Sequence, residues 1–179
     1  MTQRTAGLVL AAGAGRRFGG PKAPYVLDGE RLVDRAVRVL SEGGCGPVLV
    51  VLGAWVGDVP GARVVVNAEW STGMGSSLRT GLGAVDGLDV ERVLVTLVDL
   101  PGLTPDAVRR ILQSTSGLAQ AAYDGERGHP VLLGRDHWAG VAATAEGDRG
   151  ARAYLAQHEV ARIEVGDVAG GDDLDLRPE

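Results

Sequence analysis

The stretch Leu10-Ala-Ala-Gly-Ala-Gly-Arg-Arg-Phe-Gly-Gly-Pro-Lys22 gathers glycines, two arginines and Lys22, the one lysine among 18 cationic residues. Such a set suits an anion. Glycine lets a backbone turn tightly and come close to a ligand, and the N–H groups it exposes bind oxyanions. Arginine offers a flat fork of donors and lysine a compact, mobile charge, so a single lysine kept beside two arginines points to phosphate groups. Asp99, in Leu97-Val-Asp-Leu-Pro101, adds a carboxylate after an apolar run, where a divalent cation could join it to phosphate oxygens. The competing structural readings are a solvated pair for Arg16 and Arg17, and a turn aspartate before proline for Asp99.

Several phosphate loops follow a first strand in α/β proteins, and each makes its own demands on its neighbours. A dinucleotide turn needs G-x-G-x-x-G and an acid closing the second strand; here Phe18 stands where the last glycine belongs, and the second apolar run ends in Gly53-Ala-Trp55. A P-loop needs glycine before its lysine and serine or threonine after it, but Pro21 and Ala23 fill those places. Both readings fail. The stretch resembles instead the L-A-A-G-x-G-x-R-[MF]-G-x-x-K loop of the molybdenum-cofactor nucleotidyltransferases. Further segments are similar to that family in the same order: Asn67-Ala-Glu-Trp-Ser-Thr-Gly-Met-Gly-Ser-Ser-Leu-Arg-Thr-Gly-Leu82, Leu97–Pro101, Gly128-His-Pro-Val131 and Gly147-Asp-Arg-Gly-Ala-Arg152. The last two are more like the CTP:molybdopterin cytidylyltransferase branch than the guanylyltransferase branch, as is Ala12, where a glycine would match the guanylyl form.

The resemblance implies transfer of CMP from CTP to the phosphate of molybdopterin or molybdenum cofactor, with pyrophosphate released, Mg2+ as cofactor, and a molybdoenzyme of the xanthine dehydrogenase type as downstream partner. In the family's pattern Arg17, Lys22 and Asp99 are catalytic. Leu10, Ala11, Ala12, Gly13, Gly15, Arg17, Lys22, Asn67, Ser76, Ser77 and Asp99 bind the nucleotide, while His129 and Arg152 face the acceptor. Asp99 and Asp175 hold the metal, although Asp173-Leu-Asp-Leu-Arg-Pro-Glu179 carries one residue more than the family's D-[IV]-D-T-P-E, which keeps Asp173 as competitor for Asp175. Arg152 could instead pair with Asp148, and Trp70 suits packing better than stacking on a ligand. The chemistry asks little of the side chains, since an ionised phosphate monoester is already a nucleophile and what remains is to position two anions and offset their charge. Guanylyl transfer, nucleotidyl transfer to another phosphorylated metabolite, and a non-enzymatic cofactor chaperone stand as alternatives.

Short apolar runs must hold these groups: Gly7–Leu10, Pro47–Leu52, Ala62–Val66, Arg92–Leu97, Leu118–Tyr123, Pro130–Leu133 and Ala161–Val165. Near-continuous Val/Leu runs of this length predict strands covered on both faces. Between them, Leu32, Val33, Ala36, Val37 and Leu40 recur at helical spacing, and Thr104-Pro-Asp-Ala reads as a capped helix start before Val108, Ile111 and Leu112. Gly73 to Ser77 open another helix, whose free N–H groups and hydroxyls could meet a base or ribose. Strands alternating with helices predict a three-layer α/β/α sandwich with a mostly parallel sheet, the nucleotidyltransferase fold, over a single domain spanning 1–179. Ligands in such sheets bind beyond the carboxyl ends of the strands, which brings the loops holding Lys22 and Asp99 to one crevice. The Asp/Gly-rich end after Val165 reads as a frayed tail.

A net charge of −5 argues against a general nucleic-acid binder. No apolar segment approaches the roughly 20 residues that span a bilayer, and Met1-Thr-Gln-Arg-Thr-Ala lacks a signal-peptide pattern, so a cytoplasmic protein with no membrane partner is expected. Cys45 is the only cysteine, which excludes an internal disulfide and reads as a buried packing residue; His137 and His158 read as surface groups.

Overall fold

The computed structural model describes residues 3–179; Met1 and Thr2, the start of the terminus read above for a targeting pattern, lie outside the described residues. The chain runs through β1 (Thr5–Leu10), the small hairpin β2 (Val26–Leu27) and β3 (Glu30–Arg31), α1 (Leu32–Glu42), β4 (Val48–Leu52) and β5 (Arg63–Val66). A short 3-10 turn, Trp70–Thr72, leads into α2 (Met74–Asp86), followed by β6 (Arg92–Leu97) and α3 (Pro105–Leu112). The second half is β7 (Leu118–Tyr123), β8 (Glu126–Gly134), α4 (Arg135–Thr144), α5 (Arg152–Leu155) and β9 (Ala161–Glu164).

One seven-stranded sheet has the order β5-β4-β1-β6-β8-β7-β9. Along β1, Ala6, Leu8 and Leu10 face one layer with Leu49 and Val51, while Val9 faces the other with Val50 and Leu52. Alternate side chains point to opposite faces, so a strand that is apolar throughout needs cover on both. α1 and α3 provide it on one side through Val33, Val37, Leu40, Val108 and Ile111; α2 and α4 provide it on the other through Leu78, Leu82, Val85, Trp138 and Val141. The expected three layers are present. α1 buries the spaced residues that predicted it, and the Thr104 hydroxyl accepts a hydrogen bond from the Ala107 N–H at 3.2 Å, capping α3.

Two features depart from expectation. β8 runs antiparallel to both β6 and β7 and begins at Glu126 rather than Pro130, so the Gly128-His-Pro segment lies within a strand. Asp124 and Gly125, with φ of 52° and 81°, form the two-residue turn joining β7 to β8. Positive φ at both central positions is what a tight hairpin needs, and Asp-Gly supplies it readily. The tail after Val165 is also not frayed: the Gly170 N–H donates to the Gly102 carbonyl at 3.0 Å and the Leu174 N–H to the Asp99 carbonyl at 2.8 Å. Arg177 then reaches back to the carbonyl of Phe18 at 3.0 Å.

From β1 the chain winds outward to β4 and β5, then returns to β6 on β1's other flank. The connections thus diverge between β1 and β6, the place where parallel sheets open a ligand crevice. Among the described residues no helix is long and apolar enough to cross a membrane. Cys45 is buried below α1, and burial pushes its thiol up to about 12. We therefore expect the native protein to resist a thiol reagent such as dithionitrobenzoate at pH 8 and to react fully once denatured in guanidinium; rapid labelling of the native protein would contradict this packing.

Candidate active site

The glycine loop is shaped by its own backbone. Gly15 sits at φ 61°, and the N–H groups of Gly19 and Gly20 donate back to its carbonyl at 2.8 and 3.0 Å. A Cβ on Gly15 would lie 1.9 Å from the Gly20 carbonyl oxygen, so only glycine fits. Phe18 anchors the fold-back by burying its ring edge-on against Tyr25, with centroids 4.8 Å apart. Gly13 differs: its φ is not positive, and a Cβ there would meet no protein atom within 4 Å. The space beside it belongs to a cavity of about 450 Å³ bordered by Leu10 to Arg16, Lys22, Trp70, Ser77 and Asp99.

Lys22 and Asp99 meet in the wall of this cavity, with Nζ 2.9 Å from Oδ2, and both side chains are largely shielded. Asp175 Oδ1 is 3.7 Å from the same amine. Asp173 joins them electrically: burial holds its carboxyl above the usual range, and the charges of Asp99 and Asp175 push the same way against Lys22. The other Asp99 oxygen, Oδ1, is buried with no hydrogen-bond partner among the described residues. A buried carboxylate oxygen left alone is costly, and oxygen donors of this kind suit hard divalent cations. The residues therefore fit such an ion. No three His, Cys, Asp or Glu side chains among the described residues form a complete ligand set, so phosphate oxygens and water would have to fill the rest of the shell.

The other expected site residues separate into distinct places. Arg17 is exposed and does not border the cavity, whereas Arg16 does, reversing the expected division between the two. Phe18, next in the chain, is buried, while Arg16 and Arg17 are both exposed. Asn67 and Ser76 are buried beneath the wall: the Asn67 amide donates to both Ser76 and Ser77 hydroxyls at 2.9 and 3.0 Å, and the Ser76 hydroxyl turns to the Glu69 and Gly73 carbonyls. They brace the start of α2 and do not line the cavity, while Ser77 does. Trp70 both lines it and packs on Gly53, where a Cβ would come within 2.5 Å of the tryptophan Cβ.

His129 and Arg152 line a second cavity of about 530 Å³, which shares Leu10, Met74, Leu97 and Asp148 with the first. The loop of Gly147 to Gly150 is clamped over α2, because the Gly75 N–H donates to the Gly147 carbonyl at 2.7 Å and a Cβ on Gly73 would fall 2.5 Å from that oxygen. Arg152 makes no ion pair with Asp148. Gln120, Arg127 and Arg149 also line this cavity, and sequence reasoning missed them. The one usable signal was Gln120, a lone polar residue amid Leu118-Ala-Gln-Ala-Ala122.

A glycine-rich loop at the divergence point of a mostly parallel sheet, with helices on both faces, defines an α/β protein of nucleotidyltransferase-like fold. The chain belongs to the MobA-like NTP transferase domain family, which matches residues 7–162. It is 39% identical to a nicotine blue oxidoreductase of Paenarthrobacter nicotinovorans, covering 94% of this chain and 91% of that one. It is 30% identical to a probable molybdenum cofactor guanylyltransferase of Mycobacterium ulcerans, covering 92% and 85%. Among solved structures, the Mycobacterium sp. strain JC1 homolog of Mycobacterium tuberculosis Rv0371c superposes with a TM-score of 0.82 at 27% identity, over 98% of this chain and 92% of that one. Rv0371c itself, in complex with manganese, gives 0.74 at 26% identity over 92% and 89%.

Burial holds the His129 imidazole below its usual value; the charge of Asp99 pulls it back up and the smaller effect of Arg152 presses it down. A histidine depressed on folding lets the unfolded chain bind protons first, so stability is full above about pH 6.5 and falls as pH drops toward the folded value. We expect the urea midpoint to fall between pH 7.5 and 5.5 by less in His129→Gln than in the wild type; an equal fall in both would show that His129 ionises freely.

Proposed function

We propose that the chain transfers CMP from CTP to the phosphate of a molybdopterin-type cofactor and releases pyrophosphate. The reading is carried by the Lys22–Asp99 contact beside the glycine loop, an arrangement in which cation, carboxylate and free backbone N–H groups border one cavity. The triphosphate is received by the N–H groups of residues 12–15, since that of Ala11 is taken by the Val51 carbonyl, by Lys22 at the α-phosphate, and by Arg16 or a reoriented Arg17 at the departing oxygens. The methyl group of Ala12 takes space that a glycine would leave to a larger base. The acceptor enters through the second cavity, guided by Arg152 and an uncharged His129. Its ionised phosphate oxygen bonds to the α-phosphorus while the bond to the pyrophosphate oxygen breaks, with no proton to remove. A divalent cation held by Asp99 together with Asp173 or Asp175 would add positive charge to the phosphate oxygens.

The relative named as a molybdenum cofactor guanylyltransferase supports transfer to this class of acceptor and favours GTP as the alternative donor. The manganese complex of Rv0371c supports a divalent ion. A second reading, redox chemistry on a small molecule held in the same cavities, is favoured by the 39% identity to a nicotine blue oxidoreductase.

Purified protein is incubated with each of the four NTPs, Mg2+ and an extract containing molybdopterin, and pyrophosphate is measured; NADH and NADPH oxidation is followed in parallel. Release with CTP is expected, release with GTP alone overturns the base assignment, and nicotinamide oxidation without pyrophosphate favours the second reading. Lys22→Ala should lower turnover about 100-fold, the loss expected for a main transition-state donor; a change within about threefold would remove Lys22 from the chemistry. Asp175→Asn should raise the Mg2+ concentration needed for half-maximal rate, and an unchanged requirement assigns the second carboxylate to Asp173.

A further inference from the structure

The second cavity contains a polar group that the transfer chemistry leaves unused. Gln120 is only 7% exposed, and its strand β7 is otherwise small and apolar, with Leu118, Ala119, Ala121 and Ala122 all buried. Its carboxamide makes no side-chain hydrogen bond among the described residues, yet it borders the cavity. The buried, unpartnered side-chain atoms among the described residues are Thr96 Oγ1 and Asp99 Oδ1, so the Gln120 amide keeps access to the cavity space, where a guest can reach it and take its hydrogen bonds.

The surroundings indicate the partner's shape. Gln120 is the cross-strand partner of Val131, and Val95, Val131 and Leu133 lie with it against the same cavity. A surface of aliphatic side chains on a pleated sheet suits the face of a flat ring. Along β8, Arg127 and His129 border the same cavity as Val131 and Leu133, so the lining passes from apolar to cationic toward the start of the strand. Arg127, Arg149 and Arg152 line the cavity without ion pairs among the described residues, and they outnumber its acids, Asp148 and Asp173. The preferred guest is therefore both flat and anionic.

We propose that Gln120 is a specificity-determining residue that reads the in-plane amide edge of a flat, anionic heterocyclic acceptor. A carboxamide presents an acceptor oxygen beside a donor N–H in one plane, the complement of a ring N–H beside a ring carbonyl. A sugar phosphate can offer hydroxyls to the amide but lacks the flat ring face that the aliphatic wall favours. This deepens the acceptor assignment made under Proposed function and rests on it.

The test uses the full chain without nucleotide and two bicyclic carboxylates of similar size. Pterin-6-carboxylate has the amide edge and quinoxaline-2-carboxylate lacks it; calorimetric titration gives the Kd of each. The wild type should prefer the pterin by about tenfold or more, and Gln120→Met should bring the two within about threefold without weakening quinoxaline-2-carboxylate binding. Gln120→Glu, which can accept but not donate, should lose the preference as well and serves if the methionine variant folds poorly. Equal binding of both compounds by the wild type, or a tenfold preference that persists in either variant, overturns the inference. A Gln120-dependent pterin preference with no pyrophosphate release from any NTP would keep this inference and sink the transfer reading. Pyrophosphate release that is indifferent to Gln120 would do the reverse.

Discussion

The charge contact between Lys22 and Asp99 depends on strand register before it depends on either side chain. β1 and β6 pair in parallel with Leu10 opposite Leu97, and the Val98 N–H donates to the Leu10 carbonyl at 3.1 Å. The two loops therefore leave the sheet side by side, one with a lysine at its far end and the other with an aspartate near its start. Buried charges are tolerated when they are paired, so each residue stabilises the other's position in the shielded wall. A polyanion arriving at Lys22 competes with Asp99 for the same amine. The Asp99 oxygen that already lacks a partner then becomes the part of the site most in need of positive charge.

The C-terminal segment increases that need. Leu174 is hydrogen-bonded to the Asp99 carbonyl, which carries Asp173 and Asp175 toward Lys22. Arg177 donates to Phe18 and stacks its guanidinium over the Phe18 and Tyr25 rings at 5.3 and 5.6 Å. Chain end and glycine loop are thus tied together by contacts that involve the loop's anchor and leave Gly13 open. With several carboxylates gathered around one lysine, the locale carries excess negative charge before any phosphate enters. Coulomb repulsion at such separations would oppose a triphosphate strongly unless cations accompany it.

Much of this was legible in the sequence, and the failures have physical causes. Apolar runs located all seven strands of the large sheet; the inner ones are covered on both faces as expected, whereas the edge strands β5 and β9 are only partly covered, and the Lys22 and Asp99 loops were expected at one crevice because strand ends in parallel sheets converge there. The direction of β8 was missed although Asp124-Gly125 signalled a hairpin, since attention to apolar content alone does not report strand direction. Docking of the tail was not legible: beyond Val168 and Ala169, which pack on the core, it is held by an Arg110–Asp167 ion pair, backbone hydrogen bonds and an arginine on aromatic rings, which need no apolar pattern. Adjacent residues in a tight turn point to different sides, so composition alone could not say whether Arg16 or Arg17 faces the cavity. Asn67 and Ser76 carry the polar groups a nucleotide could use, but the start of α2 has its own unpaired groups to satisfy and takes them first.

The two cavities bear different constraints, and this bears on why relatives with such different names share one scaffold. The first is governed by backbone: its glycines, the fold-back at Gly15 and the β1–β6 register leave little freedom. The second is governed by side chains from β7, β8 and the segment around α5, which can change without disturbing the register. A substitution at Gly15 must displace main chain, whereas one at Gln120 or Arg127 alters only what the cavity offers a guest. In this chain the second cavity therefore tolerates changes of side chain that the glycine loop does not. Gln120 is the residue at which the difference would be read, because its unpartnered amide discriminates among flat anions that the arginines alone would bind alike.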